Sequence, residues 1–282
     1  MKNINIYAFA DEASPDIDLQ IKALKRNNLH GLEIRNVDGT NVSDITLQQA
    51  REVKKKLCSN GLKVWSVGSP IGKIDIDGDF NAHLEKFKRT LEIAKALDSK
   101  NIRIFSFYIP DEKNPTDFKN EVIDKLGQLY EISKEFDIDI CHENEKGIYG
   151  DIPERCLDIF KALGEVKGIF DPANFVQCGV DTLKAWDLLG EYIKYLHIKD
   201  SAADGRIVPA GVGIGNVPEI IRMYTERGGK FLTLEPHLAV FDGLSSLERK
   251  GGTSDVGDMD FKSNDEAFDS ACLALNNILE VI

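Results

Sequence analysis

Eight short runs rich in Ile, Val, Phe and Tyr recur along this chain, with longer amphipathic stretches between them. The runs are Ile4 to Phe9, Gly31 to Arg35, Lys63 to Gly68, Ile102 to Tyr108, Ile138 to Glu143, Lys167 to Asp171, Ile193 to Lys199 and Lys230 to Glu235. Several are continuously apolar, as strands buried on both faces are, and right-handed crossovers through helices make such neighbours parallel. The clearest helix carries Phe80, Leu84, Phe87, Leu91 and Ala94 on one face, while Lys86, Lys88, Arg89 and Glu92 mostly face water. Ser14-Pro15, Thr116-Asp117, Asp151-Ile152-Pro153 and Asp181-Thr182 read as helix starts, and Gly61, Gly164, Gly190 and Gly228 as helix stops.

Eight strand and helix units in 282 residues predict an α/β fold, one closed (β/α)8 TIM barrel over residues 1–282. A doubly wound open sheet would carry a Gly-rich phosphate loop directly after its first strand, and that loop is missing. Gly211-Val212-Gly213-Ile214-Gly215 follows a charged loop near the seventh strand and reads as a flexible turn entering a helix. The segment at about 238–264 breaks the rhythm at the carboxyl end of the eighth strand, where it is expected to form a lid over the site.

Net charge of −12 opposes docking on phosphate backbones and anionic membranes, so nucleic acid and membrane partners are not expected. The five cysteines form no CxxC pair and read as buried free thiols in a reducing cytoplasm. Asp11 and Glu12 come too early to leave room for the apolar core of a signal peptide, and no later run reaches membrane-spanning length. A cytoplasmic location is therefore expected, and tight homo-oligomers are compatible with such a barrel.

In a barrel of this kind the carboxyl ends of the strands converge on one pocket. Four consecutive strands end in Glu143, Asp171, His197 and Glu235. Desolvating a carboxylate costs several kcal/mol unless a cation or hydrogen bonds offset it. Three carboxylates and one imidazole are therefore read as ligands of one divalent metal ion, with Mn, Mg, Co or Zn all suited to the donor set. Glu143 and Glu235 should face each other across the pocket as a base and acid pair. Lys199 shares the strand phase of His197, as a substrate anchor or as a salt-bridge partner of Asp200 or Asp171, and His237 could share the face of Glu235. His142 should point away from the face of Glu143, while His30 and His83 read as surface residues.

These strand ends resemble the sugar phosphate isomerase/epimerase family of xylose-isomerase-like TIM barrels. The likeness lies in Glu143, the FDPANF run at 170–175, the HIKD run at 197–200, the LEPHL run at 234–238 and Ser69-Pro70-Ile71-Gly72-Lys73. It implies one metal held by Glu143, Asp171, His197 and Glu235, with the two glutamates doubling as acid and base. It also suggests Asn174, Arg206 and Lys73 as groups that contact substrate. Asn174 stands where ketose epimerases of the family carry a histidine, which weakens a ketose 3-epimerase reading.

The expected activity is isomerisation or epimerisation of a sugar, sugar phosphate or related polyhydroxy carbonyl compound by proton transfer beside a metal-polarised carbonyl. An inosose-type dehydratase would use the same site. A silent sugar-binding barrel and an apurinic endonuclease are the remaining alternatives. The endonuclease would need more histidine ligands than five histidines offer, and a basic groove.

Overall fold

The computed structural model describes residues 4–247, 249, 256 and 259–282. Eight parallel strands close into one barrel: Asn5–Ala8, Gly31–Ile34, Lys63–Val67, Asn101–Ile104, Asp139–Glu143, Lys167–Phe170, Ile193–Ile198 and Phe231–Leu234. Consecutive strands are hydrogen-bonded neighbours, and the ring closes where Asn5–Ala8 pairs with Phe231–Leu234. All eight apolar runs are therefore strands of a single (β/α)8 TIM barrel. The fourth ends earliest, at Ile104, because Phe105 to Tyr108 leave the barrel and Tyr108 bridges to Asp75 and Ile148.

Helices ring the barrel because each can bury one face against it. In Phe80–Leu97, Phe87, Leu91 and Ala94 are buried, while Phe80 and Leu84 pack at the margin of the core. Local chemistry sets the ends. Asp16 caps Ile17–Arg26, Thr46 and Gln49 form a capping box on Leu47–Ser59, and Asp181 caps Thr182–Leu189. The Ser14-Pro15 start thus moves to Asp16, and the Thr116-Asp117 start becomes a 3-10 turn capped by Asn114. Gly190 is right-handed, whereas the left-handed residues ending Phe80–Leu97 and Lys119–Phe136 are Asp98 and Asp137. An aspartate tolerates that conformation through local hydrogen bonding, so glycine spacing alone misses such stops.

Other expectations change with packing. All five cysteines are free, but Cys58 is exposed and Cys178 only partly buried. The Gly211 to Gly215 loop is anchored: the Asp200 carboxylate accepts from the N–H groups of Gly211 (2.9 Å), Gly213 (3.0 Å) and Gly215 (2.9 Å). A Cβ on Gly213 would come 2.4 Å from Asp200 Oδ1, so the glycine permits close approach to an internal anion. The loop does lead into a helix, Val217–Glu226.

In the expected lid, Leu238, Phe241 and Leu244 are buried, and Arg249 reaches Asp75 (3.2 Å) and Asp111 (2.7 Å) beyond the third and fourth strands. Much of 248–258 lies outside the described residues. Among the described residues no helix is long and apolar enough to cross a membrane.

His83 is buried, contrary to the surface reading, and its Nε2 accepts a hydrogen bond from Gly72 N at 2.8 Å. That bond sets the turn carrying Lys73. Burial first, and then the charge of Lys86, lower its pKa from 6.5 to about 4. A neutral imidazole is required in the fold, while the unfolded chain takes up a proton below pH 6.5. This contribution to stability is complete above that pH and is lost as pH falls toward 4, with a slope of about 1.4 kcal/mol per pH unit per proton. We expect His83→Gln to flatten the fall of the urea midpoint between pH 7 and pH 5; an unchanged pH dependence would contradict this role.

Candidate metal centre

Period-two alternation along the strands sorts the barrel interior into layers. Cys141, Ile169 and Tyr195 pack with Trp65 and Phe231 into an aromatic plug, in which Trp65 stacks on Phe231 (3.9 Å between centroids) and on Tyr7 (5.5 Å). Two residues further along the same strands come Glu143, Asp171 and His197, with Glu235 four beyond Phe231. An apolar floor thus lies beneath a charged layer, and both follow from one strand phase.

The ligand atoms of Glu143, Asp171, His197 and Glu235 all lie within 4.8 Å of one another, and all four residues are buried. His197 is central. Its Nδ1 lies 2.8 Å from Glu143 Oε1 and 3.5 Å from Glu235 Oε2, and its Nε2 lies 3.1 Å from Glu33 Oε2. Burial alone would lower the imidazole pKa, but the charges of Glu143 and Glu33 reverse this and hold it well above the ordinary value. Burial raises Asp171, with Lys199 opposing and the neighbouring Glu235 and Glu143 adding to it. Glu235 goes the other way: burial would raise it, yet Lys199, His237 and His197 together bring it well below the usual carboxylate range.

Three buried cations complete the layer. Lys199 Nζ lies 2.9 Å from Asp171 Oδ2 and 3.0 Å from Glu235 Oε2. Arg103 NH1 lies 3.1 Å from Glu143 Oε2 and 3.9 Å from Glu235 Oε1. Arg35 meets Asp11 (2.8 Å), Glu12 (3.1 Å) and Glu235 (3.2 Å), packed between the rings of Phe9 and Phe241. Glu12, buried beside this network, is pushed up to about 8. Arg35, Arg103, Glu33, Asp11 and Glu12 escaped the strand-end reading. Their signal is the same one, a charged residue within or just after an apolar run, as in Gly31-Leu32-Glu33-Ile34-Arg35 and Asn101-Ile102-Arg103-Ile104.

The remaining sequence-selected residues fall at different places. His237 borders the cluster: its backbone N donates to Glu12 Oε2 at 2.6 Å, and its Nε2 lies 3.5 Å from Glu235 Oε1. It holds a left-handed backbone at φ 45°. Asn174 is buried beside Asp171, donating its N–H to Asp171 Oδ1 (3.0 Å) and its amide group to Asn144 O (2.9 Å). Lys73 pairs with Glu145 at 2.8 Å and lies over the Phe105 ring. Arg206 extends from the hairpin after the seventh strand, about half exposed, and pairs with Asp204 at 2.8 Å. It is not among the residues that converge with the four. His142 does point away from the pocket, against Phe160, with Nε2 2.9 Å from Ser106 Oγ.

The donor set fits a divalent ion on one observation in particular. Asp171 Oδ2 is fully buried and receives no hydrogen bond among the described residues. Lys199 contacts it as a charge, outside hydrogen-bond geometry. Lys199 divides one charge between Asp171 and Glu235, which leaves this oxygen short of a hydrogen-bond donor and able to take a further cation.

Comparison with solved structures gives whole-chain similarity at low identity. The probable 3-DHS dehydratase AsbF from Bacillus anthracis has a TM-score of 0.72 at 17% identity, covering 97% of this chain and 99% of that one. The IOLI protein with a bound zinc atom has 0.76 at 15%, covering 99% of each chain. D-psicose 3-epimerase with D-tagatose from Clostridium cellulolyticum H10 has 0.72 at 14%, again covering 99% of each. No curated protein matches by sequence. Residues 21–249 match the family model described as xylose isomerase-like TIM barrel, and the chain belongs to that family.

Proposed function

We propose that this protein is a divalent-metal-dependent isomerase or epimerase of a sugar, sugar phosphate or related polyhydroxy carbonyl compound. The observation that carries the reading is that two glutamates share one donor set, with Glu143 and Glu235 both beside His197 Nδ1. Glu143, Asp171, His197 and Glu235 would hold the ion, which would supply Lewis acidity to a carbonyl oxygen and so acidify the neighbouring C–H. Its similarity in fold to an epimerase and to a zinc-bound protein supports the same reading.

The chain's own groups then divide the work. One glutamate takes the proton from the carbon beside the carbonyl; the other returns a proton to the opposite face for epimerisation, or to the neighbouring carbon for isomerisation. Arg103 and Lys199 orient the two carboxylates through the contacts described above. Lys199, Lys73, Asn174 and His237 surround the pocket as groups for substrate hydroxyl or anionic ends.

A panel of ketoses, inososes and sugar phosphates incubated in D2O with Mn, Mg, Co or Zn tests the reading. We expect at least one member to gain deuterium at the carbon beside the carbonyl and return an isomer or epimer of unchanged composition. A product lighter by one water would select the dehydratase instead. Bound metal with no exchange across the panel would contradict both and favour a non-catalytic binding barrel.

A further inference from the structure

We propose that Glu33 is a positioning residue that fixes which imidazole nitrogen of His197 meets the metal; the inference rests on the metal reading above. Glu33 lies on the second strand and reaches across the barrel interior to the seventh, where its Oε2 is 3.1 Å from His197 Nε2. The carboxylate is itself fixed. Its Oε1 accepts from Tyr195 OH at 2.8 Å and from Ser66 Oγ at 3.3 Å, and those two hydroxyls lie 3.0 Å apart. Glu33, Ser66, Tyr195 and His197 are all fully buried. Phe9 meets the imidazole edge-on at 5.3 Å and limits rotation of the ring.

A carboxylate can only accept from the nitrogen it faces, so each ring nitrogen that faces one carries a hydrogen, Nε2 toward Glu33 and Nδ1 toward Glu143. An ion held by Glu143 and Glu235 would take the place of the hydrogen that faces them, on Nδ1, while the hydrogen accepted by Glu33 stays on Nε2. Glu33 thereby presents the imidazole to the ion in one tautomer and one orientation, as carboxylates do for metal-bound histidines generally. It need not touch substrate or metal to do so.

The test uses the full chain and zinc. Affinity is measured by competition with a chromogenic chelator, and the His197 tautomer by 15N NMR of the imidazole in the zinc-loaded protein. The wild type should show zinc on Nδ1 and a hydrogen on Nε2. Glu33→Gln should weaken zinc binding roughly 10–100-fold and change the Nε2–H resonance, and Tyr195→Phe should do the same to a smaller extent. If Glu33→Gln does not fold, Glu33→Asp, which shortens the reach to Nε2, should show the same loss and the same spectral change. Zinc on Nε2 in the wild type, or wild-type affinity and spectrum in the folded variant, would overturn the inference while leaving the metal reading intact. A wild type that binds neither zinc nor Mn, Mg or Co would overturn both.

Discussion

Glu143→Gln should leave the barrel folded and lower solvent-hydrogen exchange into substrate by roughly 10²–10⁴-fold, the usual contribution of a positioned general base. The substitution keeps the side-chain shape and leaves an amide oxygen for Arg103, which now lies 3.1 Å from Glu143 Oε2. It removes the ability to take up a proton. Thermal denaturation and deuterium incorporation, measured on the same preparation, separate the two effects. Retained exchange in a folded variant would exclude Glu143 as a proton-transferring group.

The largest effect on stability is expected at Arg35. This side chain is fully buried and compensates Asp11, Glu12 and Glu235 together, while Asp11 also accepts from Asn36 at 2.7 Å. Arg35→Met keeps much of the volume between Phe9 and Phe241 but strands buried carboxylates. We expect a loss of about 3–5 kcal/mol, the range for removing one partner of a buried charge pair. Asp11→Asn added to that variant should recover part of the loss, because the two positions share one interaction. A loss under about 1 kcal/mol, or strict additivity of the two changes, would show that the network is not coupled as described.

The barrel was legible because its strands are buried on both faces, so each appears as a short apolar run bounded by polar helix. The four strand-end residues were legible for the complementary reason that charge at the end of such a run needs a partner. What stayed hidden is the partner itself. Arg103 lies within its strand and Arg35 just after its own, and pairing between strands distant in sequence is not visible in either run alone.

The glycine-rich loop misled in another way. Gly211, Gly213 and Gly215 have the spacing of a flexible turn, but Asp200, eleven or more residues earlier, gathers their N–H groups. His83 sits on a helix face with charged neighbours, and its burial comes from the Gly72 turn folding over it. Arg206, suggested by family likeness, lies about half exposed and pairs with Asp204. For the loop and for His83, a contact eleven or more residues away decided the outcome.

The central claim, that Glu143, Asp171, His197 and Glu235 form one metal centre, is tested most directly by metal content after dialysis against Mn, Co or Zn. Asp171→Asn is the informative variant, because asparagine still caps the helix Pro172–Gln177, as Asp171 does through Asn174 N, while the anionic ligand is removed. The account predicts one ion per chain in the wild type and a folded Asp171→Asn protein that retains little or none. A wild type without bound metal, or an Asp171→Asn protein that holds it as tightly, would contradict the account.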